Sequence, residues 1–376
     1  MTHYDAIIIG AGAMGSATAY HMGKAGQRVL LLEQFDLKHE HGSSQDHTRI
    51  IRYSYNQPAY IDLARASYPL WFDLEHESGE TLYTRTGGID FGLPSDARMQ
   101  GIARSLADKQ IAHELLTPTE AQSRFTQFRF SSEMQVIYQP DYGILAAAKG
   151  VAAHLRLAQD RYGVEVRANT PVTHITPSRD HVTVTTPAGT FEAGRLIITA
   201  GAWAGDVLAE LGLSLPLKPM AVQLAYFETG KAYQADQMPI FIAWIDEFAP
   251  YGIPDWNGSG LKVALHGGPQ VDHVSQIDYT PTQAAVERIR AFCDVHLPGA
   301  ADHLKSTRIC LYTMTPDEDF IIDRHPQYDN ILYASPCSGH GYKFSALIGQ
   351  IMTDLALKGA TPHDISLFQA KRFQTT

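Results

Sequence analysis

The chain has 376 residues, a length that predicts two domains or one large one. Its hydrophobic fraction of 44% and charged fraction of 19% exclude a disordered chain. The 30 Lys and Arg against 40 Asp and Glu leave a net charge of −10, which argues against nucleic acid or an anionic membrane as the main partner. A small anionic substrate stays open, because a pocket can be locally basic in an acidic protein. The three cysteines, Cys293, Cys310 and Cys337, form no C-x-x-C pair and no zinc-type cluster, so neither a disulfide framework nor a metal is expected. No apolar run approaches the ~18 residues of a membrane span. Residues Met1 to Asp5 lack a basic region, and the last residues, Arg372 to Thr376, carry no peroxisomal or reticular address. These features predict a cytoplasmic protein.

In chain order, Asp5 to Ile9 is a short apolar run that reads as a strand. Gly10-Ala11-Gly12-Ala13-Met14-Gly15 follows at once, then a helix through Ala17 and Tyr20 to Gly26, then the strand Arg28 to Leu32 ending in Glu33. Strand, G-x-G-x-x-G, helix, strand and acid together predict a dinucleotide site. Gly10 permits the tight turn, Gly12 lets backbone approach a pyrophosphate, and Gly15 lets helix pack on strand. The helix N-terminus offers unpaired N–H groups to phosphate. Glu33, 18 residues past Gly15, suits ribose hydroxyls and favours FAD or NAD over NADP.

Gly42 to Arg49 reads as a polar loop. A helix is predicted over Ile61 to Glu75, with Pro69 as a kink or start. Thr86 to Gly92 reads as turn and strand. Val164 to Val166 reads as a strand. Val172–Ile175, Val182–Thr186 and Thr190–Glu192 read as a three-stranded meander with a turn at Thr186-Pro187-Ala188-Gly189. An apolar strand from Arg195 runs into Gly201 and Trp203, a combination that points to FAD. Residues 217 to 312 read as a second, sheet-rich domain. Ser338-Gly339-His340-Gly341-Tyr342 precedes a helix with apolar residues at Phe344, Leu347, Ile348, Ile351, Met352 and Leu355, stopped by Gly359 and Pro362.

Together the segments Ile7–Gly15, Gly42–Arg52, Gly201–Trp203, Gly260–His266, Cys310–Asp323 and Ser338–Phe344 resemble the monomeric sarcosine oxidase and N-methyltryptophan oxidase family of flavin amine oxidases. The resemblance covers nearly the whole chain, and Cys310-Leu311-Tyr312-Thr313 with Pro316 to Asp323 is its most specific part. It implies an α/β fold, a Rossmann-type FAD domain of the glutathione-reductase or D-amino-acid-oxidase kind with a sheet-rich substrate domain. The FAD domain is expected over 1–84, 145–216 and 317–376, and the substrate domain over 85–144 and 217–316. A monomer is expected, acting on a small amino acid and dioxygen.

The resemblance also implies residue roles. Cys310 matches the cysteine that carries FAD covalently. Lys262 matches an oxygen-activating lysine, a fixed cation beside developing negative charge. Arg52 and Lys343 match a pair that binds a substrate carboxylate, the fork and point charge that such a group suits. Arg49 matches a residue packed on the flavin ring, His266 a histidine near the substrate, and Tyr251 and Tyr312 pocket tyrosines. FAD contacts are expected at Gly10, Gly12, Ala13, Met14, Gly15, Glu33 and Gln34. Further contacts are expected at Ser43, Thr48, Arg49, Val172, Gly201 and Trp203, and at Gly339, Gly341, Tyr342 and Lys343. Cys337 reads as a core residue and Cys293 has no motif.

One segment departs from the family. Where relatives carry Gly-Ser-His-His-Gly-Asp-Thr-Arg, this chain has Ser44-Gln45-Asp46-His47-Thr48-Arg49. The histidine pair is absent, and His47 is the residue placed to substitute. Ala243 to Pro254 also diverges, so the substrate does not carry over. The expected chemistry is FAD-dependent oxidation of a secondary or N-methyl amino acid to an imine, with dioxygen reduced to hydrogen peroxide. A noncovalent FAD dehydrogenase or D-amino-acid oxidase-like enzyme is the alternative, and a non-catalytic flavin-binding subunit the third reading.

Overall fold

A computed structural model describes residues 3–373. The readings that fall on Met1, Thr2 and residues 374–376 lie outside them. The chain forms a mixed α/β structure of three sheets. In the first, Glu165–Arg167, Val29–Leu32, His3–Ile9 and Gly189–Ile198 lie side by side and parallel. Ile331–Ser335 joins parallel to the end of Gly189–Ile198, with Ile321–Arg324 antiparallel beyond it. The start of Gly189–Ile198 instead pairs antiparallel with Val182–Thr186, which pairs with His174–Pro177.

The central strands are apolar on both faces because both faces are covered. Alternate residues feed two cores. Ala6, Ile8, Leu31 and Ile197 pack with the helices Ala13–Lys24, Ala147–Asp160 and Ser345–Lys358. Ile7, Ile9, Leu30 and Ile198 pack on the other side with Ala204, Leu208 and Tyr333. The helix Ser345–Lys358 runs with the spacing its sequence predicts and ends on Gly359 in the left-handed region, φ 77°.

The second sheet has eight strands in the order His303–Met314, Lys218–Glu228, Leu261–Ala264, Tyr251–Ile253, Ile240–Trp244, Gly88–Gly92, Gln135–Gln139 and Glu114–Leu116. Neighbours are antiparallel except Ile240–Trp244 and Gly88–Gly92. A third sheet of Thr48–Ile51, Gly143–Ala146 and Tyr83–Arg85 also forms.

Several elements differ from the expected ones. The predicted helix Ile61–Glu75 spans Pro58–Ser78, with Pro58 in its first turn, so Pro69 is interior and not a start. The last strand of the predicted meander does not end at Glu192. It is continuous with the apolar strand as Gly189–Ile198. Val172 precedes its strand, which begins at His174. Past Ile198 the chain leaves the sheet, and Gly201–Trp203 is a 3₁₀ turn. The polar loop from Gly42 gives way to strand at Thr48. No helix among the described residues is long and apolar enough to cross a membrane. Among those residues no group of three or more His, Cys, Asp or Glu is arranged to hold a metal ion.

Candidate active site

A cavity of about 540 Å³ runs from the Gly10 turn to Lys343. At its first end the strand His3–Ile9 stops and the chain turns at Gly10, whose φ of +96° suits glycine. Gly15 lies beneath the turn and not on the cavity wall. A Cβ there would stand 1.7 Å from the Gly10 carbonyl oxygen, so glycine is what lets the helix Ala13–Lys24 seat against the strand. Two side chains hold the turn. Glu33, 6% exposed, accepts the Ala11 N–H through Oε2 at 2.8 Å and the Phe35 N–H through Oε1 at 3.0 Å. Ser44 Oγ accepts the Ala13 N–H at 2.8 Å. Gly12, Ala13, Met14, Gln34, Ser43, Val172, Gly201 and Trp203 line this end. Thr48 stands behind the wall, although its backbone carbonyl takes part in the site.

At the other end strands of the second and third sheets supply the wall. The strand Thr48–Ile51 and the residue after it bring Arg49 and Arg52. The strands Tyr251–Ile253, Leu261–Ala264 and His303–Met314 bring Tyr251, Lys262, Cys310 and Tyr312. The turn before Ser345–Lys358 brings Gly339, Gly341, Tyr342 and Lys343, and His266 follows its strand. All of these line the one cavity.

Arg49 is held on several sides. Its Nη1 donates to the Thr48 carbonyl at 2.9 Å and to Asp46 at 3.3 Å; its Nη2 donates to the carbonyls of Ser43 (2.9 Å) and Gln45 (2.5 Å) and toward Cys310 Sγ at 3.6 Å. Burial pushes the other two thiols up, Cys293 to about 12 and Cys337 to about 11. Tyr251 and Tyr312 hydroxyls lie 3.4 Å apart. Burial raises the phenol of Tyr251 to about 12 and that of Tyr312 well above its ordinary value.

Arg52 and Lys343 are both buried. Arg52 Nη1 donates to Ser54 Oγ at 3.1 Å and its guanidinium covers the Tyr55 ring at 4.1 Å. Lys343 Nζ donates to Tyr55 Oη at 2.9 Å and to the His340 carbonyl at 2.5 Å. Among the described residues neither is within ion-pair distance of a carboxylate, although most other buried or half-buried cations of the site are. Burial, and then the neighbouring Arg52 charge, hold the Lys343 ammonium well below its ordinary range. Burial and the same two cations bring His266 down to about 4, so it is neutral at physiological pH.

Four contributors have no signal in the sequence. Asp46 pairs with Lys262 at 2.5 Å and accepts a hydrogen bond from Tyr226 Oη. Tyr55 supports both cations. Asp90 accepts from Tyr142 at 2.7 Å and from Trp244 Nε1 at 2.9 Å, and Tyr142 meets Ser54 beneath Arg52. The substitute expected at His47 is exposed and stands off the cavity wall, its ring 6.4 Å from that of Tyr226.

The residues fit a dinucleotide flavin. The glycine cradle leaves no room for a Cβ at Gly15, and the hydroxyl of Ser43, on the cavity wall, is buried without a hydrogen-bond partner. Such an orphaned hydroxyl calls for a polar ligand.

A family model described as FAD dependent oxidoreductase matches residues 5–355. The chain is 34% identical over 379 residues to a monomeric sarcosine oxidase of Bacillus sp. (strain NS-129), covering 99% of this chain and 97% of that one. It is 31% identical over 379 residues to an N-methyl-L-tryptophan oxidase of Escherichia coli O139:H28, covering 99% and 100%. Its structure matches that of NikD, an unusual amino acid oxidase essential for nikkomycin biosynthesis, with a TM-score of 0.88, 26% identity and 98% of each chain covered. A glycine turn with its acid, a cavity lined from all three sheets and a family match over residues 5–355 thus agree, and the chain belongs to the DAO family of FAD dependent oxidoreductases.

Proposed function

We propose that the protein is an FAD-dependent oxidase of a secondary or N-methyl amino acid, releasing an imine and hydrogen peroxide. The observation that carries this is the pair Arg52 and Lys343: two buried cations at one end of the flavin cavity, neither within ion-pair distance of a carboxylate among the described residues. Two such charges call for an anion, and the amino acid's carboxylate supplies it. The relatives named for sarcosine and N-methyl-L-tryptophan oxidation support the substrate class.

Bound FAD would accept the hydride and pass the electrons to dioxygen. The chain's own residues do the rest. Arg52 and Lys343 hold the carboxylate and thereby orient the carbon–nitrogen bond. The same cations disfavour an ammonium on the substrate, and a neutral amine is what hydride release needs. His266, neutral, and the protonated Tyr251 and Tyr312 wall the site without adding charge. Lys262 is the fixed cation for the negative charge that develops on dioxygen. Cys310 is the proposed covalent attachment point. The thiol beside the Arg49 guanidinium supports that assignment, while Cys293 is buried in the core packed on the second sheet, away from the cavity wall. In this reading the FAD-binding domain comprises 1–84, 145–216 and 317–376, and the protein works as a cytoplasmic monomer.

The test is a peroxide assay with anaerobic flavin bleaching over sarcosine, N-methyl aromatic amino acids, L-pipecolate, L-proline and both enantiomers of common amino acids. An N-methyl or cyclic amino acid is expected to bleach the flavin and yield peroxide, and amines lacking the carboxylate are expected to do neither. A panel in which no secondary amino acid bleaches the flavin overturns the reading.

A further inference from the structure

We propose that Asp46 is the counter-ion that keeps Lys262 protonated and fixed in the cavity wall, which makes it a positioning residue for the step Lys262 serves. This rests on the reading of Lys262 as the cation that meets dioxygen.

Both side chains are 3% exposed, and Lys262 Nζ lies 2.5 Å from Asp46 Oδ2. The second acceptor on Nζ is the Thr48 carbonyl at 3.2 Å. An ammonium this buried sheds its proton unless an anion stands beside it. The other groups facing Lys262 do not supply one. Arg49 is a second cation. Tyr226, across the strand pair, and Tyr251 are phenols that burial keeps protonated, and Cys310 completes the surroundings. Asp46 is thus the one carboxylate within ion-pair distance of Lys262 among the described residues.

The loop is distorted to deliver it. Asp46 has φ +96°, in the region that favours glycine. A non-glycine residue persists there only when its surroundings over-determine it, and such strain gathers at functional sites. The surroundings here are specific. Tyr226 Oη and the His47 N–H (2.8 Å) donate to Oδ1, Arg49 Nη1 donates to Oδ2 at 3.3 Å, and Arg308 stands 3.9 Å away. Asp46, Arg49 and Lys262 together leave one net positive charge at the cavity wall.

The experiment compares the flavin-loaded full chain with its Asp46→Asn, Asp46→Gly and Lys262→Met variants. The Asn variant keeps the shape and removes the charge. The Gly variant also removes the charge and adopts φ +96° freely, so it folds if Asn does not. The first readout is a lysine side-chain NMR titration, with the Lys262 signal identified by its loss in Lys262→Met. Removing an opposite charge at this distance shifts a titration by about 1–3 units. Lys262 is therefore expected to deprotonate about 10- to 1,000-fold more readily in both Asp46 variants. The second readout is the pH profile of flavin reoxidation by dioxygen, whose falling limb is expected to move down by the same interval. Titration curves for Lys262 that overlay those of the unaltered protein in Asp46→Asn and Asp46→Gly overturn the proposal. Where Lys262→Met slows reoxidation, an unmoved reoxidation limb in the Asp46 variants does so too. Reoxidation unchanged in Lys262→Met is a different failure. It removes the dioxygen role of Lys262, while the NMR titration still decides the pairing.

Discussion

Replacing Lys343 by Met removes one Nζ and keeps the aliphatic stem. The damage to the fold is small. Tyr55 Oη keeps a neighbour in His340 Nδ1 at 3.3 Å, and the lost donor to the His340 carbonyl is a single bond. The loss in binding is larger. A hydrogen bond to a charged group contributes about 1.5–3 kcal/mol. At about 1.4 kcal/mol per factor of ten, the dissociation constant for a carboxylate substrate rises about 10- to 150-fold. Anaerobic stopped-flow reduction of the flavin separates this from the chemistry. The apparent dissociation constant carries the loss, and the limiting reduction rate changes much less. The pH dependence gives a second signature. Burial and Arg52 hold the free Lys343 ammonium below its ordinary range, and a bound carboxylate raises it again. Between those two values binding takes up a proton, so affinity falls as pH rises. In Lys343→Met that slope disappears. The reasoning is refuted if Lys343→Met leaves the dissociation constant unchanged. It is equally refuted if an analogue lacking the carboxylate is weakened as much as the amino acid.

Other outcomes follow from particular residues. Gly15→Ala forces a Cβ to within 1.7 Å of the Gly10 carbonyl, so the variant is expected to purify without flavin or not to fold, as absorbance and circular dichroism will read; a yellow, stable Gly15→Ala contradicts the cradle geometry. Acid precipitation of the native protein is expected to leave colour in the pellet, and Cys310→Ser to leave it in the supernatant; colourless native pellets dismiss the covalent link. Burial depresses the folded values of His21 to about 4 and His154 to about 3. Their contribution to stability is therefore present above the unfolded value near 6.5 and is lost as pH falls from there, at roughly 1.4 kcal/mol per unit for each. Denaturant melts at pH 6 and pH 4.5 are expected to show a shallower drop for His154→Phe than for the native chain, and equal drops would place the acid sensitivity elsewhere.

The sequence was most legible where function depends on neighbours in the chain. Gly10, Gly12, Gly15 and Glu33 lie within one strand–turn–helix–strand unit, and their spacing alone predicts their geometry. The turn at Gly189 was equally local. The strand after it was harder, because Gly189–Ile198 changes partners halfway. Its first half alternates in burial beside an antiparallel neighbour, and its last residues are buried on both faces between parallel ones. Read with a single period, it splits in two. Pro69 misled for another reason. Burial of Tyr68, Trp71 and Leu74 around it holds a helix that the local proline penalty argues against. Asp46 was illegible, since its importance comes from Lys262, distant by 216 positions in the chain. A polar loop containing an acid is ordinary, and only the fold reveals what the acid faces.

The hold on Arg49 has one more consequence. Its guanidinium binds the carbonyls of Ser43, Gln45 and Thr48, so the cation is also the brace that shapes the loop carrying Ser43, Ser44 and Asp46. Loop shape and charge therefore stand or fall together: a substitution that removes the guanidinium takes away the cation and, with it, three donors to the loop backbone.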